Sequence, residues 1–154
     1  MAGLVTAGLV GARPLGEDDG EALAPIDQAY ALRYELEPAL TRSSLAFFLR
    51  AGHAFAAYLG GEARGFALAQ AVWNGTRPTV YLSRLAAMDS AGDAPTAVLK
   101  ALVEAVTKSA YDAAVYDLIA TVPESDEKAA QVLREAGYGE TSLRLYGRVL
   151  GSRG

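Results

Sequence analysis

Apolar positions along the chain follow two periods, and the switches between them mark out its elements. Leu23, Ile26, Tyr30 and Tyr34 recur at helical spacing and predict a first helix after the acidic turn Gly16-Glu17-Asp18-Asp19-Gly20. Leu45, Phe48 and Leu49 give the stripe of a second helix over about Thr41–Ala51, with Gly52 where a left-handed C-terminal cap belongs. The middle of the chain alternates instead. His53–Leu59, Gly65–Trp73 and Thr79–Met88 read as strands, separated by Gly60-Gly61-Glu62 and by Asn74-Gly75, whose residues tolerate the positive φ of a tight hairpin. An antiparallel meander is the expected result. Helical spacing returns over Ala94–Ala110, where Val98, Leu99, Leu102, Val103 and Val106 form the buried stripe and Lys100, Glu104 and Lys108 a wet ladder. A strand over Val115–Thr121, a helix over Ser125–Ala136 ended by Gly137, and a strand over Thr141–Leu150 complete the series. With an opening strand near Thr6–Leu15, the order is β-α-α-β-β-β-α-β-α-β. This is an α+β fold, a mixed and mostly antiparallel sheet flanked by helices.

Length and composition narrow the chemistry. The 154 residues suit one domain over 1–154. A share of 51% hydrophobic and 21% charged residues with a net charge of −4 is that of a globular chain in water. Zero cysteines exclude a disulfide framework, a thiolate nucleophile and a thiolate-held metal, and the single His53 leaves no two-histidine metal site. No metal is expected, and His53, opening a strand, is expected to be a partly buried, hydrogen-bonded residue. Basic side chains are scattered rather than gathered, so no nucleic-acid partner is expected. No run of about 18 apolar residues points to a membrane, and with no address signal a cytoplasmic location is expected. The glycines near the start fail both the Gly-x-Gly-x-x-Gly and P-loop spacings.

The order of elements, over essentially the whole chain, resembles the GNAT-type N-acetyltransferase superfamily. Its clearest local piece is Asp126-Glu-Lys-Ala129-Ala-Gln-Val-Leu133-Arg-Glu-Ala-Gly137-Tyr138, similar to the family's Asn, Ala, Leu-Tyr and Gly-Phe stretch before the last strand. A second is Val80–Met88 leading through a loop into the long helix, where the family holds coenzyme A. The resemblance implies a GNAT-like sheet whose strands over Thr79–Met88 and Val115–Thr121 splay apart, so that the pantetheine arm adds to the sheet. It implies acetyl-coenzyme A as cofactor, with Leu85, Ala86, Ala87, Gly92, Ala94 and Thr96 as the cofactor-binding residues. The acceptor it implies is an amine, either a small molecule or a protein N-terminus or lysine. Because family members often dimerise through the last strands, a homodimer is also implied, and Leu143, Leu145, Tyr146, Val149 and Leu150 supply more apolar surface there than one sheet face needs.

The site departs from the family pattern in identifiable places. The pyrophosphate loop, Gln/Arg-x-x-Gly-x-Gly/Ala in the family, is here Asp89-Ser90-Ala91-Gly92-Asp93-Ala94. Asp93 at the N-cap and Asp89 place negative charge where diphosphate would lie, and Pro95 has no N–H to offer. Each repulsion at roughly 5 Å is worth about 1 to 3 kcal/mol. The family's usual glutamate base and tyrosine acid fall on Ser83 and Leu133. As replacements, Tyr81 and Ser83 share a face of one strand, Tyr116 opens the next, and Tyr146 lies on the last; these four are the catalytic candidates. Arg84 on the opposite face and Glu35 after the first helix are the substrate-binding candidates. Two functions remain open at this point: N-acyl transfer from acetyl-coenzyme A to an amine, or a catalytically inactive GNAT-fold domain that binds another small ligand or a protein partner.

Overall fold

The alternating middle of the chain is realised as three consecutive antiparallel strands. The computed structural model describes residues 10–88 and 94–151. In chain order its elements are β1 (Gly11–Pro14), α1 (Asp19–Arg33), α2 (Arg42–Ala51), β2 (Phe55–Leu59), β3 (Glu62–Trp73), β4 (Pro78–Ala87), α3 (Ala94–Asp112), β5 (Asp117–Ala120) and α4 (Glu127–Glu135). One sheet of order β1-β2-β3-β4-β5 carries them, antiparallel from β1 to β4 and parallel between β4 and β5. The long α3 crossover makes that parallel pair possible.

Period-2 alternation puts the two sides of the sheet against different helices. On one side Ala57, Ala67, Ala69, Val80, Leu82 and Leu85 pack under Leu102, Val103 and Val106 of α3 and Val132 of α4. On the other, Phe66, Leu68 and Ala86 meet Leu23, Ile26 and Tyr30 of α1, with Leu45 and Phe48 of α2 at the margin. Alanine on the first side lets α3 lie close, and Gly65 goes further. A Cβ there would sit 2.5 Å from the Ala86 carbonyl oxygen and 2.8 Å from Val98 Cγ1, so glycine is what allows the start of α3 to approach the sheet.

Leu82 and Leu85 share a face although they are three residues apart, which a regular strand forbids. The extra residue is Ser83, in a bulge where Ala69 pairs with Leu82 and Leu68 with Arg84. Elsewhere the turns form as expected: Gly52 caps α2 at φ +83, and Asn74 Oδ1 accepts the N–H groups of Thr76 and Arg77.

Two boundaries differ from expectation. Among the described residues the first strand covers Gly11–Pro14 and stops short of Leu15, while the part expected over Thr6–Leu9 lies outside the described residues. Thr141–Leu150 forms no strand: residues 139–151 are exposed throughout and pair with nothing in the chain's own sheet.

Candidate active site

The site begins where β4 loses a neighbour. β5 pairs with it only from Thr79↔Asp117 to Leu82↔Ala120, and the last bond, donated by Thr121 N–H to the Leu82 carbonyl, is 3.1 Å long. β4 runs on to Ala87 with β3 alone beside it. Among the described residues no strand pairs with its second edge from Ser83 to Ala87, and such backbone groups need water or a ligand. The bulge at Ser83 stands at the point of divergence, its hydroxyl donating to the Leu68 carbonyl at 3.3 Å.

Beside this gap, on the α1 side of the sheet, lies a cleft of about 590 Å³. Ser83 and Arg84 form its floor, Tyr30, Tyr34 and Leu36 one wall, and Thr121–Ser125 the other. The α1 wall is held by a buried carboxylate. Asp27 accepts the N–H groups of Ala39 and Leu40 at 3.0 and 2.9 Å, which ties the chain after α1 back over the helix. Arg84 is fixed as well: its guanidinium donates to the Glu37 carbonyl at 3.1 Å, lies 3.7 Å from Asp27 and faces the Tyr30 ring at 5.3 Å. Its charge is largely answered from within the protein, and burial pushes the Tyr30 phenol upward.

The opposite wall carries the titratable chemistry. Asp126, almost fully buried, is the N-cap of α4 and accepts the Ala129 N–H at 3.2 Å. Burial raises its carboxyl above the ordinary value, and the bonds from Ala129 and from the Tyr34 phenol only partly oppose this. Tyr34 thus connects the cleft to a carboxylate that holds a proton more readily than a solvated one. Exposed Glu124 adds a second acid to the same wall. Behind the lining, the Tyr81 phenol lies 3.0 Å from Oγ1 of Thr121, a residue of this wall.

The expected residues are only partly gathered here. Ser83 and Arg84 line the cleft, and Tyr81 is one hydrogen bond from it. Tyr116 is a correction: it precedes β5 at the end away from the divergence, 70% exposed, its ring against Tyr111 at 5.8 Å. Tyr146 is another, 83% exposed on the unpaired C-terminal segment. Glu35 lies outside the cleft lining. It takes φ +54 as the left-handed residue that ends α1, where Leu36 N–H reaches the Ala31 carbonyl at 2.8 Å. Leu85, Ala86 and Ala87 occupy the open edge of β4, and Ala94 and Thr96 open α3; Gly92, Asp89 and Asp93 lie outside the described residues. His53 is buried far along α3, its Nδ1 2.8 Å from Ser109 Oγ, as a pin between α3 and the turn before β2. Among the described residues no cluster of side chains could hold a metal ion, and no helix is long and apolar enough to cross a membrane.

Asp27, Tyr34 and Asp126 were not identified from sequence. Asp27 interrupts the apolar stripe Leu23-Ile26-Tyr30, and a charge on a buried helical face is the signal that could have exposed it. Nothing local links Tyr34 to Asp126.

The family described as "Protein of unknown function (DUF1999)" matches residues 13–152. The chain belongs to this family. TTHA1254 from Thermus thermophilus is similar to it at 36% identity with a TM-score of 0.76, covering 92% of this chain and 98% of that one. Aminoglycoside N-acetyltransferase AAC(6')-Iy, solved in complex with CoA, superposes at a TM-score of 0.72 and 20% identity over 91% of this chain and 94% of that one. The ribosomal-protein-alanine N-acetyltransferase from Brucella melitensis biovar Abortus 2308 does so at 0.65 and 18%, over 92% and 98%. No curated protein matches. This DUF1999 chain has a GNAT-like fold.

Proposed function

We propose that the protein is an N-acyltransferase that moves an acetyl group from acetyl-coenzyme A to an amine in the cytoplasm. The observation that carries this reading is the unpartnered edge of β4 from Ser83 to Ala87, opening onto a cleft with a hydrogen-bonded Tyr34–Asp126 pair.

The residues present fit the cofactor's pantetheine arm, which is an extended chain of amides. A strand edge from Ser83 to Ala87 offers the backbone N–H and carbonyl groups such a chain needs. Thr96 and Lys100, on the first turns of α3, line a second groove of about 520 Å³ between α3 and α4 and would offer a hydroxyl and a cation to the cofactor's phosphates. When bound, the cofactor supplies an acyl thioester, open to attack by an uncharged amine.

An amine arrives as an ammonium ion, so the protein must take a proton from it. Tyr34, backed by Asp126, faces the cleft for that task, and Glu124 offers a second acceptor. Tyr81, hydrogen-bonded to Thr121 beside the cleft, would be the group able to return a proton to a leaving thiolate. With Arg84 answered by Asp27 and the Glu37 carbonyl, the acidic groups set the sign of the cleft, which favours a cationic acceptor. The named neighbours act on an aminoglycoside and on a ribosomal-protein alanine, both amines, in accord with a small molecule or a protein amino group as acceptor here.

The test is thiol release from acetyl-coenzyme A with a panel of amines: a polyamine, an aminoglycoside and an alanine-terminated peptide. At least one should give release matched by acetylated product, slowed about tenfold or more in Tyr34→Phe. Release that no amine accelerates above the uncatalysed rate overturns the proposal and leaves an inactive domain of the same fold.

A further inference from the structure

Arg84 holds part of its hydrogen-bonding capacity in reserve. Its Nη1 donates to the Glu37 carbonyl at 3.1 Å and lies 3.7 Å from Asp27 Oδ1, too far for a hydrogen bond. Asp27 in turn spends one oxygen on the Ala39 N–H and the other on the Leu40 N–H. Charge is thereby balanced, but the donors are not used up. A guanidinium has five N–H donors, and no group among the described residues accepts from Nε or Nη2 of Arg84. Neither nitrogen is sealed in, since the buried side-chain atom left without a partner among the described residues is Nε of Arg64, on β3. Arg84 lines the cleft with a side chain 15% exposed, so its unused nitrogens face that open space. They are also the two whose N–H bonds run parallel along one edge of the guanidinium, the fork that matches the two oxygens of a carboxylate.

The surroundings of this edge suit one small molecule. The Tyr30 ring faces the guanidinium at 5.3 Å and meets the Tyr34 ring at 4.8 Å. The fork and the phenol assigned to the amine's proton thus adjoin one and the same ring. Leu36, Val122 and Pro123 give the rest of the lining an apolar character, and about 590 Å³ is a volume for a small ligand.

We propose that the cleft takes a free amino acid with an apolar side chain, its carboxylate on the Nε and Nη2 edge of Arg84 and its amine toward Tyr34. Leu36, Val122 and Pro123 then receive the side chain. That this amino acid is the acceptor rests on the acyl-transfer reading; its manner of binding does not. In transfer the ammonium first gives one proton to the Tyr34–Asp126 pair. The nitrogen then bonds to the acetyl carbon as the carbon–sulfur bond breaks, and the second proton it loses goes to the departing thiolate. The products are an N-acetyl amino acid and a free thiol. An amine without a carboxylate leaves the fork to water and is the poorer acceptor.

Phenylalanine, phenylalaninamide and phenethylamine present the same amine and ring with a carboxylate, a neutral amide and a hydrogen in turn. Thiol release by the full chain should give kcat/KM about thirtyfold or more higher for phenylalanine than for either analogue. Arg84→Lys keeps a cation beside Asp27 but loses the fork. It should lower that ratio about tenfold with the helical circular dichroism retained. Calorimetric titration with phenylalanine and phenylalaninamide, without cofactor, reads the same preference apart from transfer. An Arg84-dependent preference in binding without transfer to any amine upholds the carboxylate site and overturns the acyl-transfer reading instead. Equal binding and equal use of phenylalanine and phenylalaninamide by the wild-type chain, or a preference that survives Arg84→Lys in full, overturns the proposal.

Discussion

Asp19 and Asp126 are buried to nearly the same degree, 2% and 8% exposed, yet their carboxyls move in opposite directions. Burial raises both. At Asp19 it is outweighed by the Tyr58 phenol at 2.6 Å, two guanidinium bonds from Arg13 at 3.0 and 2.7 Å and the Gly16 N–H at 2.7 Å, and the carboxyl ends below its ordinary value. At Asp126 the Ala129 N–H and the Tyr34 phenol are too few, and burial wins. The number of donors, not the depth, decides which carboxylate is a structural lock and which is a group able to take up a proton. Asp19 locks β1 and β2 to the start of α1. Asp126 sits at the edge of the cleft, connected to it by a tyrosine.

The largest effect expected from this contrast is on stability at the lock. Asp19→Ala leaves the Tyr58 hydroxyl and Gly16 N–H without their acceptor, costs about 2 to 4 kcal/mol and lowers Tm by roughly 10 °C, read by calorimetry. Asp126→Asn should behave differently: Asn still caps α4, the burial penalty on charge is removed, and stability at pH 7 should be equal or higher by up to about 1 kcal/mol. The same substitution should reduce kcat/KM for acetyl transfer about tenfold or more, and Tyr34→Phe should follow it. Loss of stability at Asp126 as large as at Asp19 would erase the contrast.

Acid titration sharpens it with opposite signs. Asp19, depressed in the fold, contributes stability that is present above the unfolded carboxylate value of about 3.9 and is lost as pH falls below it. Asp126, raised in the fold, contributes stability below that value and loses it as pH rises through its folded value. Urea midpoints across pH 3 to 7 should therefore change slope in opposite directions in Asp19→Asn and Asp126→Asn, by about 1 kcal/mol or more. The smallest effect belongs to His53, whose imidazole is held below its ordinary value by burial. The unfolded chain takes up that proton first, so stability falls as pH drops below about 6.5, by about 1 kcal/mol or less. His53→Gln should remove that dependence without affecting transfer.

The fold was legible where local periodicity and tertiary placement agree. Leu23, Ile26, Tyr30 and Tyr34 announce α1, Gly52 ends α2, and Asn74-Gly75 turns β3 into β4. The segment over Thr141–Leu150 has the period of a strand, but period fixes a face and not a neighbour, and the described residues of its own chain provide none. The site shows the same division. Ser83 and Arg84 line the cleft because the order of elements places β4 beside the gap. Tyr116 was misplaced because lying next to β5 does not say at which end of β5 it lies. Tyr34 and Asp126 meet only through folding across more than half the chain, and a helix-capping aspartate reads in sequence as nothing more than a cap.

The open edge of β4 as a place for an extended amide chain is the central claim, and calorimetric titration with acetyl-coenzyme A tests it most directly, with desulfo-coenzyme A in parallel at low ionic strength. The account predicts saturable binding of both, with Kd in about the micromolar range and weakened by added salt, since phosphates and Lys100 contribute. Absence of heat and of competition at millimolar ligand would contradict it, and the gap between β4 and β5 would then be a feature of the fold without the function.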